Sequence, residues 1–507
     1  MTLAVVFSRA SIGIHAPLVT VETHISNGLP GFTIVGLPET AVKESKDRVR
    51  SAIINSRLTF PTRRITVNLA PADLPKEGGR FDLPIALGIL AASQQIPLHD
   101  LKHYEFAGEL ALSGDLHPIY GTLPLALAAR KSDRTLVVPQ KNAEEAALPG
   151  DNTVIAAHSL LAIYKHLSQQ TLLKPYRAKK SLAQHTQTFE GDFSDIRGQM
   201  HAKRALEIAA AGGHSVLMMG PPGTGKTLLA SRLPSIMPPL SLDQLLEVIA
   251  IHSLVPQTPA GLKNRGKRPF RAPHHTASAV ALVGGGSHPR PGEVSLAHHG
   301  ILFLDELPEF DRQVLEVLRE PLESGTILIS RAARQAQFPA QFQLIAAMNP
   351  CPCGYLGDPR NRCQCKAEHI NRYRSRLSGP LLDRIDIHLE VPALPIATLT
   401  AHQTVPEENS ASILERIMPA VTRQRDRRQK LNARLNNTQT QQYCSLDPTT
   451  QIFLNTAMEK LGMSARAYHR TLRVARTIAD LENSENISLE HIQEALSYRA
   501  IRHLAYH

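Results

Sequence analysis

The architecture of this chain follows from one stretch near its middle, which reads Ser215-Val216-Leu217-Met218-Met219-Gly220-Pro221-Pro222-Gly223-Thr224-Gly225-Lys226-Thr227. The apolar run is typical of a buried strand, and the glycines after it let backbone N–H groups turn towards an anion. At this spacing a lysine reaches the β- and γ-phosphates, and a threonine hydroxyl binds Mg²⁺. The helix that begins near Thr227 adds its positive end. The stretch therefore predicts a nucleoside triphosphate site at residues 220–227.

An acidic pair follows a second apolar run, in the segment Gly300-Ile301-Leu302-Phe303-Leu304-Asp305-Glu306. Two adjacent carboxylates at a strand end can divide the work of hydrolysis. Asp305 would hold the Mg²⁺ or its water, and Glu306 would polarise the water that attacks the γ-phosphate. The alternative is a pair of surface acids after a core strand. Downstream of a complete phosphate loop, the pair favours hydrolysis over nucleotide binding alone.

Two further polar positions lie next to predicted strands. Asn349 ends the apolar strand 342–348, where an amide can orient the lytic water or contact the γ-phosphate. Arg384 lies between Asp383 and Asp386, shortly before the apolar strand 387–391. It forms either an intramolecular ion pair with one of these acids or a finger inserted into the nucleotide site of a neighbouring subunit.

The order of these motifs resembles that of AAA+ ATPases, and the resemblance favours the finger for Arg384. Two further segments resemble the magnesium-chelatase-like branch of these ATPases. They are Arg268-Pro269-Phe270-Arg271-Ala272-Pro273-His274-His275-Thr276-Ala277-Ser278, and Gly284-Gly285-Gly286 followed by Pro291-Gly292-Glu293-Val294-Ser295-Leu296-Ala297-His298-His299-Gly300. Within that branch the resemblance is to the bacterial ComM/YifB family, and it covers essentially the whole chain.

The resemblance implies a ring-forming motor, a homo-hexamer, that uses ATP and Mg²⁺ to drive DNA branch migration in natural transformation or homologous recombination. Competing candidates for its second sensor are Arg470, Arg473 and Arg476. The roles that it implies are nucleotide contacts at Gly220, Pro221, Pro222, Gly223, Thr224, Gly225, Lys226 and Thr227, magnesium ligands at Thr227 and Asp305, water activation at Glu306, the first sensor at Asn349, the trans finger at Arg384 and the second sensor at Arg466.

Length and composition indicate a soluble, multidomain protein. At about 100 to 200 residues per domain, 507 residues form about three domains. No run of about 18 apolar residues marks a membrane span, and the first residues lack the basic region and cleavage site of a secretory signal. We therefore expect a cytoplasmic protein with no membrane partner.

The chain carries an excess of positive charge, with 56 Lys and Arg against 45 Asp and Glu, a net charge of +11. Such an excess favours polyanionic partners such as DNA through counterion release. Each local cluster is either a nucleic-acid contact or a solvated face. The clusters are Lys174, Arg177, Lys179 and Lys180, and then Arg423, Arg425, Arg427, Arg428, Lys430 and Arg434.

DNA contact is expected through backbone phosphates, because aromatic residues that would stack on bases are scarce, at 5% with no Trp. Residues 325–338 alternate partly and predict a β-hairpin with Arg331 and Arg334 near its tip. In related rings such a hairpin, and the insertion around residues 271–295, face the central pore. We therefore expect Arg331 and Arg334 to contact DNA.

Four of the five cysteines, Cys351, Cys353, Cys363 and Cys365, lie in one short segment. Disulfides are disfavoured in a reducing cytosol, and four thiolates this close in sequence can hold tetrahedral Zn²⁺. The spacing C-x-C-x9-C-x-C departs from the usual C-x2-C pattern. Structural zinc is the preferred interpretation, and reduced thiols without metal, redox chemistry or an iron–sulfur cluster are the alternatives. The isolated Cys444 is expected to be a small buried apolar residue.

The first 170 residues contain no nucleotide motif and predict an independent α+β domain. A turn at residues 71–79, before a predicted helix from Asp82 to about Ser93, resembles the equivalent turn of the Lon protease domain. Lon catalysis needs a serine nucleophile at the helix start and a lysine base later. This chain has Asp82 at the first place and no lysine at residues 121–124. We therefore expect no protease activity, and a role in DNA contact or ring assembly.

Beyond Pro395 the composition becomes helical, with amphipathic candidates at 413–428, 449–461, 465–481 and 488–503. Ser488 is a candidate N-cap, and the region is expected to form a lid that carries Arg466 to the phosphates. The predicted fold class is a multidomain α/β and α+β protein. Its predicted parts are a degenerate Lon-protease-like α+β domain (1–170), a basic linker (171–190), a P-loop AAA+ α/β core with an insertion and a cysteine loop (191–395), and an α-helical lid (396–507).

These observations predict an ATPase coupled to DNA movement, a helicase or branch-migration translocase acting on branched DNA. One alternative is a magnesium-chelatase motor subunit, which the degenerate protease-like domain and the cysteine cluster disfavour. Another is a protein-remodelling AAA+ ATPase, whose hydrolysis would be indifferent to DNA.

Overall fold

The computed structural model describes residues 2–37, 40–151, 153–177, 191–256, 267–286, 289–331, 334–357, 360, 362–395 and 407–499. In chain order the strands are β1 (Thr2–Arg9), β2 (Leu18–Ser26), β3 (Gly31–Val35), β4 (Arg64–Ala70), β5 (Tyr104–Phe106), β6 (Glu109–Leu110), β7 (Leu116–His117), β8 (Thr135–Pro139), β9 (Val154–Ala157), β10 (Val216–Met219), β11 (Phe270–Arg271), β12 (Gly284–Gly285), β13 (Arg290–Pro291), β14 (Ile301–Leu304), β15 (Thr326–Arg331), β16 (Arg334–Pro339), β17 (Gln343–Met348) and β18 (Ile387–Glu390).

The α-helices follow the same order. They are α1 (Thr40–Asn55), α2 (Asp82–Ala92), α3 (Thr122–Lys131), α4 (Ala143–Ala146), α5 (Leu160–Leu167), α6 (Met200–Gly212), α7 (Lys226–Arg232), α8 (Leu242–His252), α9 (Ala279–Val283), α10 (Glu293–Leu296), α11 (Arg312–Glu316), α12 (Arg319–Ser324), α13 (Ala367–Arg374), α14 (Gly379–Leu382), α15 (Ser410–Arg428), α16 (Asn437–Tyr443), α17 (Pro448–Lys460), α18 (Ala465–Leu481) and α19 (Leu489–Ser497). Among the described residues, none of these helices combines the length and apolar character needed to cross a membrane.

The chain divides into two compact units. The first comprises residues 1–186, 241–266 and 330–338, and the second comprises 187–240, 267–329 and 339–507. Most of the predicted basic linker, residues 178–190 with Lys179 and Lys180, lies outside the described residues.

The first unit is built on a seven-stranded mixed sheet in the order β3-β4-β2-β1-β5-β8-β9. Strands β1, β2 and β4 pair antiparallel, and the outer strands pair parallel with their neighbours. Residues alternate between buried and partly exposed along β2, as expected for a strand with one covered face. Helix α2 packs against β1 and β2 and is buried along its whole length. Its bounds agree with the helix predicted from Asp82.

The second unit contains a five-stranded parallel sheet in the order β11-β14-β17-β10-β18. Every residue of β10, β14 and β17 is buried, which explains their continuous apolar runs, because parallel sheets are covered on both faces. The carboxyl ends of parallel strands meet at one edge of the sheet. That edge therefore carries the phosphate loop, the acidic pair and Asn349.

Helices α15 to α19 follow the sheet, and α15, α17, α18 and α19 share one hydrophobic core with it. Helix α18 has the predicted bounds, and α15 and α17 begin or end within three residues of theirs. Ser488 caps α19 as predicted. The last part of the predicted helix 488–503, residues 500–503, lies outside the described residues. Helix α16 was not predicted, because its polar sequence has no apolar stripe.

Candidate nucleotide site

The loop 220–227 connects β10 to α7. Gly223 and Gly225 adopt left-handed backbone conformations, with φ of +77° and +84°, which favour glycine. Gly220 is needed for a different reason, since a Cβ there would lie 2.1 Å from the carbonyl oxygen of Val391. The local geometry therefore explains why glycine occupies these three positions.

Lys226 joins the loop to the end of β17. Its Nζ donates hydrogen bonds to the carbonyl oxygens of Gly220 and Pro221, at 2.7 and 2.8 Å, and to Oδ1 of Asn349 at 3.2 Å. Burial lowers the pKa of Lys226, and the nearby carboxylates of Asp305 and Glu306 oppose this effect. The predicted lysine, first sensor and acidic pair are thus grouped around one point.

The two predicted magnesium ligands contact each other. Thr227 Oγ1 donates to Asp305 Oδ2 at 2.8 Å, and the other Asp305 oxygen accepts the backbone N–H of Glu306 at 2.9 Å. A hydroxyl and a carboxylate are the hard oxygen donors that Mg²⁺ prefers. These two groups fit a magnesium site.

Glu306 has a left-handed backbone conformation, with φ of +51°. Its Oε2 lies 3.4 Å from Nδ1 of His275, and its side chain is 54% exposed. Strand β11 is the parallel neighbour of β14, so the residues after β11 meet the acidic pair after β14. The ring of His275 also contacts that of His274, with centroids 4.1 Å apart. The sequence alone indicated no catalytic role for His275.

Arg384 is almost fully buried in this chain. Its Nη2 lies 2.7 Å from Oε1 of Glu323, on α12, and its Nη1 donates to the carbonyl of Pro380 at 2.6 Å. The ion pair considered from the sequence, with Asp383 or Asp386, is not the one formed. Glu323 is remote in sequence, and no local pattern indicated it.

The acids that flank Arg384 contact α18 instead. Asp383 Oδ2 accepts a hydrogen bond from the hydroxyl of Ser464, the N-cap of α18, at 3.0 Å. Asp386 Oδ1 lies 2.5 Å from Arg470 Nη1. Burial alone would raise the pKa of Asp386, but Arg470 and His214 together outweigh burial and hold that pKa well below its usual range.

The four arginines considered for the second sensor differ in exposure. Arg466 is 55% exposed, and its contact with Glu323 is long, at 3.5 Å. Arg470 is paired with Asp386, Arg473 donates to Thr440 Oγ1 at 3.0 Å, and Arg476 donates to backbone carbonyls near the end of α18. Arg466 is therefore the member of the set with the most freedom to reach a ligand.

The sulfur atoms of the cysteine cluster lie close enough together to hold one metal ion. The Sγ atoms of Cys351, Cys353 and Cys363 lie 3.4 to 3.8 Å apart, and those of all four cysteines, Cys365 included, lie within 4.8 Å of one another. Four sulfurs around Zn²⁺ at about 2.3 Å would be about 3.8 Å apart. Burial raises the pKa of Cys351 to about 12. Burial also opposes ionisation of Cys353, but the N–H of Tyr355 and neighbouring groups outweigh it and lower that pKa to about 6.

The cysteine loop packs against the nucleotide loop. Gly354, with φ of +83°, lies so close to Pro222 that a Cβ would be 2.7 Å from the proline ring. On the other side, Arg374 of α13 donates to the carbonyl oxygen of Pro350 at 3.1 Å. The buried Tyr373 accepts a hydrogen bond from the backbone of Asn349. The cysteine loop and α13 therefore pack around the phosphate loop and the strand end at Asn349.

Most arginines of the basic segment 423–434 form contacts within the protein. Arg427 pairs with the buried Asp480 at 2.6 Å, and Arg423 donates to the backbone of the same residue. Arg428 donates to the Tyr443 hydroxyl at 2.6 Å. Arg434, beyond the helix, donates to the carbonyl of Phe342 at 3.0 Å. These internal contacts account for much of the charge run that the sequence left open as a DNA contact.

The hairpin expected from the sequence is present as the two-stranded sheet β15–β16. Arg331 ends β15 and Arg334 begins β16, so both stand next to the turn. Their side chains lie outside the described part of the chain, and their contact with DNA stays a prediction.

In the first unit, Asp82 stands where the Lon resemblance would require a nucleophile. It is fully buried, bonded to the Ser45 hydroxyl, and paired with Arg48 at 2.7 Å. Burial raises the pKa of Asp82, while Arg48 and Ser45 oppose this effect. Thr122 is also buried and hydrogen-bonded, with Asn142 at 2.8 Å. The place where a Lon-type nucleophile would stand is therefore occupied by the ion pair of Asp82 with Arg48.

Three family models match the chain. The magnesium chelatase subunit ChlI matches residues 192–399, a second model for subunit ChlI of Mg-chelatase matches 21–142, and the ChlI C-terminal model matches 407–499. With the parallel sheet, phosphate loop and acidic pair, these matches define a magnesium-chelatase-like protein of the AAA+ class.

Relatives of similar length identify the family. The competence protein ComM of Haemophilus influenzae is 52% identical over 99% of this chain and 98% of its own. YifB of Escherichia coli is 51% identical over 100% of this chain and 99% of its own. The 67 kDa magnesium-chelatase subunit of Heliobacterium mobile is 30% identical over only 39% of this chain and 32% of its own. The chain belongs to the ComM/YifB family.

Proposed function

We propose that the chain is an ATP-driven DNA motor that forms homo-hexameric rings in the cytoplasm and acts on branched recombination intermediates, as a helicase or branch-migration translocase. The convergence of Lys226, Asn349, Thr227 and Asp305 at one sheet edge carries the ATPase part of this proposal. The DNA part is supported by the net charge of +11 and by full-length similarity to a competence protein.

In this proposal residues 220–227 bind the triphosphate through backbone N–H groups, and Lys226 exchanges its carbonyl partners for phosphate oxygens. Thr227 and Asp305 would hold Mg²⁺, which supplies charge neutralisation on the phosphates. Glu306 accepts a proton from the attacking water, and Asn349 orients that water.

Two arginines complete the proposed mechanism. Arg466 binds the phosphates of its own subunit when the lid closes, and its 55% exposure supports this role. Arg384 acts on the nucleotide of a neighbouring subunit. In the isolated chain it is buried against Glu323, so it must move when a ring assembles. Arg331 and Arg334 of the hairpin contact DNA in the central pore. The first unit is a degenerate Lon-protease-like domain without protease activity, and it serves in DNA contact or ring assembly.

The cysteine cluster is proposed to hold one structural Zn²⁺. The separations of its sulfur atoms support this assignment. Zinc content measured on the purified protein, and on the double variant Cys351→Ser/Cys353→Ser, tests it. We expect one zinc per chain in the parent protein and a loss in the variant, and an absent or unchanged signal would refute the assignment.

A second candidate is a magnesium-chelatase motor subunit, because the family models that match carry that description. The short, weak match to the Heliobacterium subunit disfavours it. A chelatase motor would hydrolyse ATP without any response to DNA.

ATP hydrolysis measured with and without forked DNA, followed by strand displacement on the same fork, separates the candidates. We expect stimulation by the fork and displacement of its strand. Lys226→Ala should abolish both activities, and Glu306→Gln should bind ATP without turnover, while the exposed Lys460→Ala serves as a matched control. Normal displacement by either site variant would contradict the mechanism, and stimulation by protein alone would favour a remodelling ATPase.

A further inference from the structure

Glu323, near the end of α12, contacts both arginines that the proposed mechanism assigns to nucleotide sites. Its Oε1 lies 2.7 Å from Nη2 of Arg384 and 3.5 Å from Nη2 of Arg466. The two partners differ in freedom, because the Arg384 side chain is 5% exposed and the Arg466 side chain is 55% exposed. One carboxylate oxygen thus holds one arginine tightly and the other loosely.

Arg384 depends on this carboxylate. Apart from Glu323, its guanidinium donates to the Pro380 carbonyl, and its buried Nε has no partner among the described residues. A buried charge that loses its counter-ion is strongly disfavoured. Glu323 is therefore the group that decides whether Arg384 rests inside its own subunit or is available to another.

The same segment is fastened to α18 at two other points. Asp383 accepts the Ser464 hydroxyl at 3.0 Å, and Asp386 pairs with Arg470 at 2.5 Å. These two contacts anchor the backbone on either side of Arg384, whereas the Arg466 side chain is exposed and its contact with Glu323 is long. The Arg466 side chain can therefore leave Glu323 while Arg384 stays in place.

We propose that Glu323 is a positioning residue that couples the nucleotide site of one subunit to that of the next. The inference rests on the proposed roles of Arg466 and Arg384. When Arg466 moves to its own subunit's phosphates, the carboxylate is left to Arg384 alone and retains it. Filling one site therefore disfavours completion of the adjacent site, and linkage makes the effect reciprocal. Neighbouring sites then differ in affinity for nucleotide.

Binding of a fluorescent ATP analogue to full-length rings that carry Glu306→Gln tests this coupling without hydrolysis. With Glu323 intact we expect two affinity classes, separated by about fivefold or more. Adding Glu323→Gln, which keeps the shape and removes the charge, should merge them into one. Adding Glu320→Gln, an exposed glutamate on the same helix, should leave two classes.

One class with Glu323 intact, or two classes after its replacement, would overturn the inference. If Glu323→Gln does not fold, Arg466→Gln removes the loosely held partner at an exposed position and should merge the classes as well. A different result would contradict the proposed function itself, namely ATP hydrolysis by Arg384→Ala at the parental rate in assembled rings.

Discussion

Asn349 shows how a residue with a weak sequence signal acquires a defined place. An asparagine at the end of a strand is common. Here its Oδ1 accepts a hydrogen bond from the Lys226 ammonium group at 3.2 Å, and its backbone is hydrogen-bonded to the buried Tyr373. Its amide is therefore fixed relative to the phosphate loop. Preorganised polar groups of this kind act on the charge that develops in the transition state.

Replacing Asn349 by alanine should lower kcat for ATP hydrolysis by about 100-fold, while the affinity for ATP changes only a few-fold, because the phosphate loop itself is unaltered. Steady-state kinetics together with equilibrium nucleotide binding measure the two effects. Asn371→Ala, on the exposed face of α13, is the control. A pure loss of affinity at unchanged kcat would contradict the sensor role.

Asp386 supports the structure, and Asp386→Asn should lower the free energy of unfolding by about 3 to 5 kcal/mol, because it removes the buried member of an ion pair and leaves the partly buried Arg470 without its counter-charge. Chemical denaturation measures this loss. The exposed pair of Arg376 and Glu309 provides the contrast, since Glu309→Gln should cost no more than about 1 kcal/mol. Equal losses in the two variants would contradict this account.

The pH dependence of that contribution follows from the lowered pKa of Asp386. An aspartate in the unfolded chain titrates near about pH 3.9. The ion pair therefore contributes fully above that pH, and its contribution declines as the pH falls towards the lower pKa of the folded state. The difference in stability between the parent protein and Asp386→Asn should shrink below about pH 4.

At the level of elements, the cysteine loop links the proposed zinc site to the nucleotide loop through Gly354 and Pro222. Removing zinc with a strong chelator should lower the melting temperature and weaken ATP binding together. Thermal scans and nucleotide titrations with metal analysis measure this. Cys444→Ala should keep its zinc, because Cys444 is buried outside the cluster. Unaltered ATP binding by metal-free protein would refute the link.

Helix α15 and the hairpin β15–β16 both carry arginines, and we expect the two sets to have different roles. Arg427→Gln should destabilise the fold by breaking the buried pair with Asp480 and leave the salt dependence of DNA binding unchanged. Replacing Arg331 and Arg334 by glutamine should reduce the slope of log K against log salt by about one to two, with little change in stability. Binding isotherms at several salt concentrations and thermal melts measure both. The reverse pattern would place the DNA contact on α15.

The sequence predicts the elements with strong periodicity and those that carry motifs. Helix α18, β10, β14 and β17 were foreseen, because buried parallel strands read as continuous apolar runs. The polar helix α16 was missed. Glu323 and His275 reach their partners through tertiary packing, and no local spacing indicates such contacts. The internal use of Arg427 could not be foreseen either, because Asp480 follows 53 residues later.

At the scale of the whole molecule, the account requires more than one copy of the chain. In the proposed mechanism Arg384 acts on the nucleotide of a neighbouring subunit, and in the single chain it is buried against Glu323. Full-length similarity to a competence protein and the positive charge direct the work of such a ring towards DNA. ATP hydrolysis at residues 220–227 and DNA movement must therefore rise and fall together.

Strand displacement on a forked DNA, followed in real time with hydrolysable ATP, tests this requirement most directly. The parent protein should displace the strand at a rate that follows its ATP turnover. Glu306→Gln should assemble on the same fork in the presence of ATP and displace nothing. Displacement by Glu306→Gln, or an ATP-hydrolysing parent protein that leaves every fork intact, would contradict the account.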